Sequence, residues 1–166
     1  MKFQYSFIQF LLTTHLASSS ICESVNYNYI SLEIISDTST EIVDSNSNYL
    51  KQAVFCTTYS TWVVFQGCSY IWSSSNPQSA EKVYFRRKFY ITGEPSSGTM
   101  DVACDDLVDV YVNGIKVDCS GAGYSSKKSC IILSVLKSGL NTLFFDAYSH
   151  IGVAGLIFKI NVESKF

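Results

Sequence analysis

The residues best suited to chemistry in this chain are carboxylates and aromatic rings. Asp101, Asp105, Asp106 and Asp109 crowd one short stretch, and Asp118 lies just beyond a turn signal. Closely spaced carboxylates accept hydrogen bonds from hydroxyls, and they can hold Ca2+ through oxygen ligands. No Asp-x-Asp-x-Asp-Gly calcium loop is present. The plainer alternative is that one Asp caps a turn through local backbone N–H groups while the others face water. Trp62, Trp72, Tyr70, Tyr124 and Tyr148 could stack on sugar rings. Trp72 follows Ile71 at a strand end and is expected in the core. Tyr124 in a polar stretch, and Tyr148 with His150 ahead of Gly152, are the exposed candidates. The expected ligand site is therefore Asp105, Asp106, Tyr124, Tyr148 and His150, all on loops. Asp105 and Asp106 are the Ca2+ candidates, and no other cofactor is expected.

Catalysis finds little support. His150 is the only histidine beyond the N-terminal leader, and no Gly-x-Ser-x-Gly elbow occurs. Asp105 and Asp106 are neighbours in sequence, so their side chains diverge along a strand. A glycosidase needs two carboxyls facing each other across roughly 5 to 9.5 Å. The chain is expected not to be an enzyme.

The elements that must hold these residues read as strands. The chain has 166 residues, 11 Tyr and 11 Phe, with 14% aromatic and only 16% charged residues. Such a composition suits half-buried pleated surfaces. A formal net charge of −2 gives no footprint for nucleic acid. Strand patterns cover 29–35, 54–59, 61–65, 82–91, 100–104, 108–112, 115–119, 130–136, 142–148 and 156–162. Arg87 would point inward with Val83, Phe85, Phe89 and Ile91, so a bulge or a buried ion pair is required there. Asn113-Gly114 signals a type I′ hairpin. The polar tract from Ser36 to Gln52 and the stretch from Gly121 to Ser126 read as surface loops. No sustained helical period appears, and 135–140 holds one helical turn at most. The expected fold is all-β: one antiparallel β-sandwich.

The N-terminus carries Lys2, an apolar run through Phe7, Ile8, Phe10, Leu11 and Leu12, and small residues from Ala17 to Ser20. This is the three-part pattern of a secretory signal. The expected organisation is a signal peptide over 1–20 and a single domain over 21–166, with no transmembrane segment. The six cysteines, Cys22, Cys56, Cys68, Cys104, Cys119 and Cys130, all lie beyond the signal. An even number in a secreted chain favours disulfides. Cys56–Cys68 and Cys119–Cys130 each bracket a hairpin-like segment, which leaves Cys22–Cys104. Sequence alone does not choose among the pairings. No C-x-x-C spacing supports a zinc site.

Tyr70-Ile71-Trp72 and then Val83-Tyr84-Phe85-Arg86-Arg87-Lys88-Phe89 resemble the opening strands of jelly-roll accessory domains of glycoside hydrolases. Asp105-Asp106 through Val110-Tyr111-Val112-Asn113-Gly114 looks like their hairpin. Gly139-Leu140-Asn141-Thr142-Leu143 and Gly152-Val153-Ala154-Gly155 are similar to their approaches to the late strands. Together these segments resemble the galactose-binding-like superfamily over roughly residues 70 to 163. The resemblance implies a jelly-roll sandwich that binds sugars or other polymers, or serves as a spacer. The expected function is a secreted, extracellular, disulfide-stabilised carbohydrate-binding (lectin-like) module. The alternative is an extracellular structural or adhesion subunit. The expected partners are a glycan or an extracellular protein, with a homo-oligomer supplying avidity.

Overall fold

The computed structural model describes residues 28–77, 80–150 and 152–166, with no account of the Ala122 side chain. The expected signal over 1–20 and Cys22 lie outside the described residues. The strands are β1 (Tyr29–Ile35), β2 (Glu41–Val43), β3 (Tyr49–Gln52), β4 (Val54–Phe55), β5 (Ile71–Trp72) and β6 (Glu81–Ile91). Then come β7 (Glu94–Val112), β8 (Ile115–Lys116), β9 (Gly121–Ile131), β10 (Gly139–Ser149) and β11 (Leu156–Lys165). Among the described residues the only helical element is one 3-10 turn, Leu133–Val135. Every described strand pair is antiparallel.

Strand β7 serves both layers of the sandwich. Its second half, Leu107 to Val112, pairs with β10, which in turn pairs with β6. Its first half, Glu94 to Cys104, pairs with β11, which also carries β1 and β5. The switch falls at Asp105–Asp106, where the register to β9 also shifts. Asp106 takes a left-handed backbone, φ 64. Asp and Asn tolerate that region better than other non-glycine residues. Strands that change layer do so through such bulges.

The core forms where the two layers face each other. Val83, Phe85, Phe89 and Ile91 of β6 and Leu143, Phe145 and Ala147 of β10 are buried from one side. Leu156, Phe158, Ile160 and Val162 of β11 meet them from the other. Phe145 stacks on Phe158 across the sandwich at 4.6 Å, which contributes about 1 kcal/mol beyond burial itself. Arg87 meets the expected requirement through an ion pair with Asp37 at 2.8 Å, without a bulge.

Two sequence motifs turn out to be one structural device. Asn113 and Gly114 have φ 52 and 82, as a type I′ turn demands, and Val112 pairs with Ile115. Asn113 Nδ2 donates to Asn141 Oδ1 at 2.8 Å and to the Val135 carbonyl at 2.8 Å. Asn113 Oδ1 accepts the Thr142 N–H at 3.0 Å. Asn141 is fully buried, and its Nδ2 donates to the Lys137 and Gly139 carbonyls at 2.7 and 3.0 Å. The hairpin turn and the start of β10 are thereby clamped together.

Several expectations need correction. The Ser36–Gln52 tract is not a loop but contains the β2–β3 hairpin, turned by Asp44, which accepts the N–H groups of Asn46 and Asn48. The expected strand at 61–65 is absent. That segment makes two turns, Trp62 N–H to the Tyr59 carbonyl and Cys68 N–H to the Phe65 carbonyl. Gly121–Ile131, expected to begin as a loop, is strand β9.

The cysteines also depart from expectation. Cys119 and Cys130 are bonded, pinning the approach to β9 against its end. Cys56, Cys68 and Cys104 are free thiols, so the expected Cys56–Cys68 bridge is not formed. Cys56 Sγ packs beneath Gly155, and Cys68 Sγ lies toward the Gln66 carbonyl. Burial pushes the Cys56 thiol up to about 12 and the Cys104 thiol well above the ordinary range.

Candidate functional site

The expected site residues separate into two places. Asp106, Tyr148 and His150 come together at the end of the sandwich. The His150 backbone N–H donates to Asp106 Oδ2, and the Tyr148 ring meets the imidazole edge-on at 4.8 Å. The Asp106 carboxylate therefore ties the layer-switching corner to the segment after β10, as a turn cap does. Asp105 is buried, 8% exposed, and its N–H bonds the Gly155 carbonyl at 2.9 Å. Loss of water raises its carboxyl pKa above the usual 3.8, and the neighbouring Asp106 charge adds to this.

Calcium takes six to eight oxygens, roughly. Among the described residues no three potential side-chain ligands cluster, and Asp106 is already committed to His150.

Tyr124 lies elsewhere. It sits on β9 and stacks on Trp62 at 5.8 Å, with 27° between the rings. Trp62 in turn packs on Tyr70 at 4.6 Å. The 54–70 segment lays Trp62 and Tyr70 over Ala103 and Ile157, on the outer face of the β11 layer, while Tyr124 stays exposed. The approach is so close that a Cβ on Gly155 would meet Trp62 and Tyr70 at 2.7 and 2.8 Å. Trp62 is 5% exposed and Trp72 is fully buried, so both are structural.

A cleft of about 550 Å3 opens beside Tyr148, on the outer face of β6, β10 and β7. Its polar lining is Lys82, Asp109, Asp146, Ser120 and the Tyr148 side chain, and its apolar side includes Leu107. Asp146 and Asp109 are direct cross-strand partners. Like charges in that relation destabilise a sheet unless they are compensated. Here each has its own lysine: Lys82 Nζ lies 3.0 Å from Asp146 and Lys116 Nζ 2.8 Å from Asp109. Ser120 Oγ adds a hydrogen bond to Asp109 at 3.1 Å. The Lys116 hydrogen bond holds Asp109 below the usual carboxylate range, and the Asp146 hydrogen bond raises Lys82.

The row Lys82, Asp146, Asp109, Lys116 sets two adjacent acceptors between two donors, beside the Tyr148 ring. That is the chemistry for gripping the hydroxyls of a sugar ring while packing its apolar face.

Sequence reasoning named Tyr148, Asp106 and His150 but did not bring Lys82, Asp109 and Asp146 together as a group. The available signal was the outward alternation on β6 and β10. The missing information was register, which alone makes Asp146 face Asp109.

No protein-family model matches this sequence, and no curated protein matches it. Solved structures do. An α-L-rhamnosidase from Streptomyces avermitilis, complexed with L-rhamnose, matches 60% of this chain at 25% identity and TM-score 0.51. A lectin from Pleurotus ostreatus in its apo form matches 74% at 23% identity and TM-score 0.51. A family 35 carbohydrate-binding module from Clostridium thermocellum matches 78% at 13% identity, with a TM-score of only 0.45. This chain spans 11% of the rhamnosidase chain, 41% of the lectin chain and 97% of the module. What these structures share with the chain is the fold, an antiparallel β-sandwich.

Proposed function

We propose that this chain is a non-catalytic carbohydrate-binding module of a secreted protein. Its ligand would lie in the cleft between Tyr148 and the Lys82–Asp146–Asp109–Lys116 row. The observation that carries this reading is the facing pair of carboxylates on β10 and β7, each neutralised by its own lysine. A fold gains nothing from opposing two carboxylates on a wet surface, whereas a ligand with adjacent hydroxyls gains two acceptors and two donors in fixed positions. The likeness to a rhamnosidase that was solved with L-rhamnose and to a lectin supports the choice of sugar over other polar ligands. In this reading Asp106 and His150 shape the rim, and Tyr124 is not part of the site.

One shallow site of this kind should bind at millimolar strength, about −4 kcal/mol, so several copies presented together would supply avidity. A glycan array followed by titration calorimetry tests the reading. Asp146→Ala and Tyr148→Ala should abolish binding without changing the far-UV spectrum. Failure to bind any glycan at several millimolar would replace this reading with that of a structural or adhesion subunit.

A further inference from the structure

Beyond Asp146 the outer face carries a second cleft of about 450 Å3, with Phe144 and Tyr111 as its rings and Lys88 and Thr142 along its side. Asp146 lines both clefts, so they join into one trough along β10. From Tyr148 to Thr142 the strand runs roughly 20 Å at about 3.4 Å per residue. That length takes several sugar rings end to end.

The composition of the trough floor is unusual for a solvated sheet face, where outward positions are normally polar. Phe144 stacks on Tyr84 at 5.7 Å with 24° between the rings, and it meets Tyr111 edge-on at 6.1 Å. These rings form a row across β6, β10 and β7, and neither hydrophobic cluster of the fold includes them. All three are half-buried by one another and by the charged side chains around them.

Those charges are largely cancelled. Lys82 pairs with Asp146 at 3.0 Å, Lys116 with Asp109 at 2.8 Å and Arg86 with Glu41 at 2.6 Å. A second Arg86 nitrogen donates to the Ser47 carbonyl at 2.6 Å. A trough with paired charges and an aromatic floor matches a chain rich in hydroxyls and apolar C–H faces and carrying no net charge. Among the described residues Lys88 is the one lining cation without a carboxylate partner, and a single unpaired cation falls short of the row that a polyanion needs.

Building on the module reading above, we infer that the site takes an internal stretch of a neutral, unbranched polysaccharide rather than a single terminal sugar. Phe144 and Tyr111 would supply the stacking platform at one end and the Asp146–Asp109 pair the hydroxyl contacts at the other. Aromatic rings are the rigid anchors of such contacts, while exposed ion pairs mainly set orientation.

The test is calorimetry with the monosaccharide, trisaccharide and hexasaccharide of linear β-glucan, xylan, mannan and galactan, with polygalacturonate as an anionic arm. The expected result is an affinity at least tenfold higher for one hexasaccharide than for its monosaccharide. Phe144→Ala should remove most of that gain. Thr142→Arg, which fills the second cleft from a half-exposed position, gives a second route to the same loss if Phe144→Ala lowers the folded fraction. Equal affinity at all lengths, with Asp146→Ala still abolishing binding, would overturn the extended-chain inference and leave the module reading standing. Binding of polygalacturonate alone would overturn the assignment to a neutral chain. No binding in any arm would overturn both readings.

Discussion

Two groups of aromatic residues lie on outward faces of this sandwich, and they have opposite fates. Trp62 and Tyr70 sit over the β11 layer, where the 54–70 segment covers the sheet and uses the rings to seal Ala103 and Ile157. Tyr84, Phe144 and Tyr111 sit on the β6–β10–β7 layer, and there the rings alternate with ion pairs in a trough. Residue type is the same in both. What differs is whether a loop returns across the sheet. Aromatic rings under a loop are part of the fold, whereas rings on an open face are available to a ligand.

The largest effect should come from the covered group. Trp62→Ala removes the ring that touches both Tyr70 and Tyr124, and it should cost about 3–5 kcal/mol in urea unfolding. Glycan affinity per folded molecule should not change. A loss of affinity with little loss of stability would break the comparison, because the covered rings would then be a site.

Next comes the bridge that borders β9, the strand carrying Tyr124. Replacing Cys119 and Cys130 by Ser opens a loop with sequence separation 11 and should cost about 2–3 kcal/mol. Tyr124 should then become more exposed, seen as a quenching change at Trp62. The opposite layer should keep its hydrogen-exchange protection.

On the open face, Phe144→Ala should cost no more than about 1.5 kcal/mol, the scale of an aromatic pair. A cost as large as that of Trp62→Ala would mean that the open row is core and not platform.

The smallest effect lies at the corner between the two regions. Asp105 has a raised folded-state pKa, chiefly through loss of water. A raised carboxyl pKa means that the folded state favours the proton. The stabilising contribution is full below the unfolded value of 3.8 and is lost as pH rises through the folded value. At neutral pH the ionised carboxylate therefore opposes folding. Asp105→Asn should raise the melting temperature at pH 7 by a small amount, worth under about 1 kcal/mol. The gain should vanish as pH falls toward 3.8. Asp101 and Asp109 run the other way. Asp101 is lowered despite an opposing loss of water, by Lys127 and Ser129, and Asp109 is lowered by Lys116. Their contribution is present above 3.8 and fades as pH falls through their lower folded values. A melting curve for Asp105→Asn that is parallel to wild type at every pH would contradict the assignment.

Much of the fold was legible because strand alternation is local. β1, β6 and β11 read directly from period two, Arg87 announced its need for a partner, and Asn113-Gly114 specified its own turn. The β2–β3 hairpin was hidden because three- and four-residue strands are too short to show a period. β9 was hidden because Gly, Ser and Lys dominate it and only pairing with β7 makes it a strand. The two Asn motifs were visible singly, but not their hydrogen bond at 2.8 Å. Among the candidate site residues, the exposure of Tyr124 and His150 was legible, whereas the seat of Tyr124 on strand β9, stacked on Trp62, was not.

The sequence by itself determined which side of each long strand is apolar, where the hairpin turns and that the chain folds as an antiparallel sandwich, because those depend on residue type and spacing along a single strand. Only the tertiary structure decided that β7 changes layer at Asp105–Asp106, that Asp146 faces Asp109, and that Trp62 and Tyr70 are covered while Phe144 and Tyr111 face a cleft. These depend on register and on where loops return, and both are set by contacts between residues far apart in the chain. The physical reason is that an isolated strand specifies its two faces but not its neighbours.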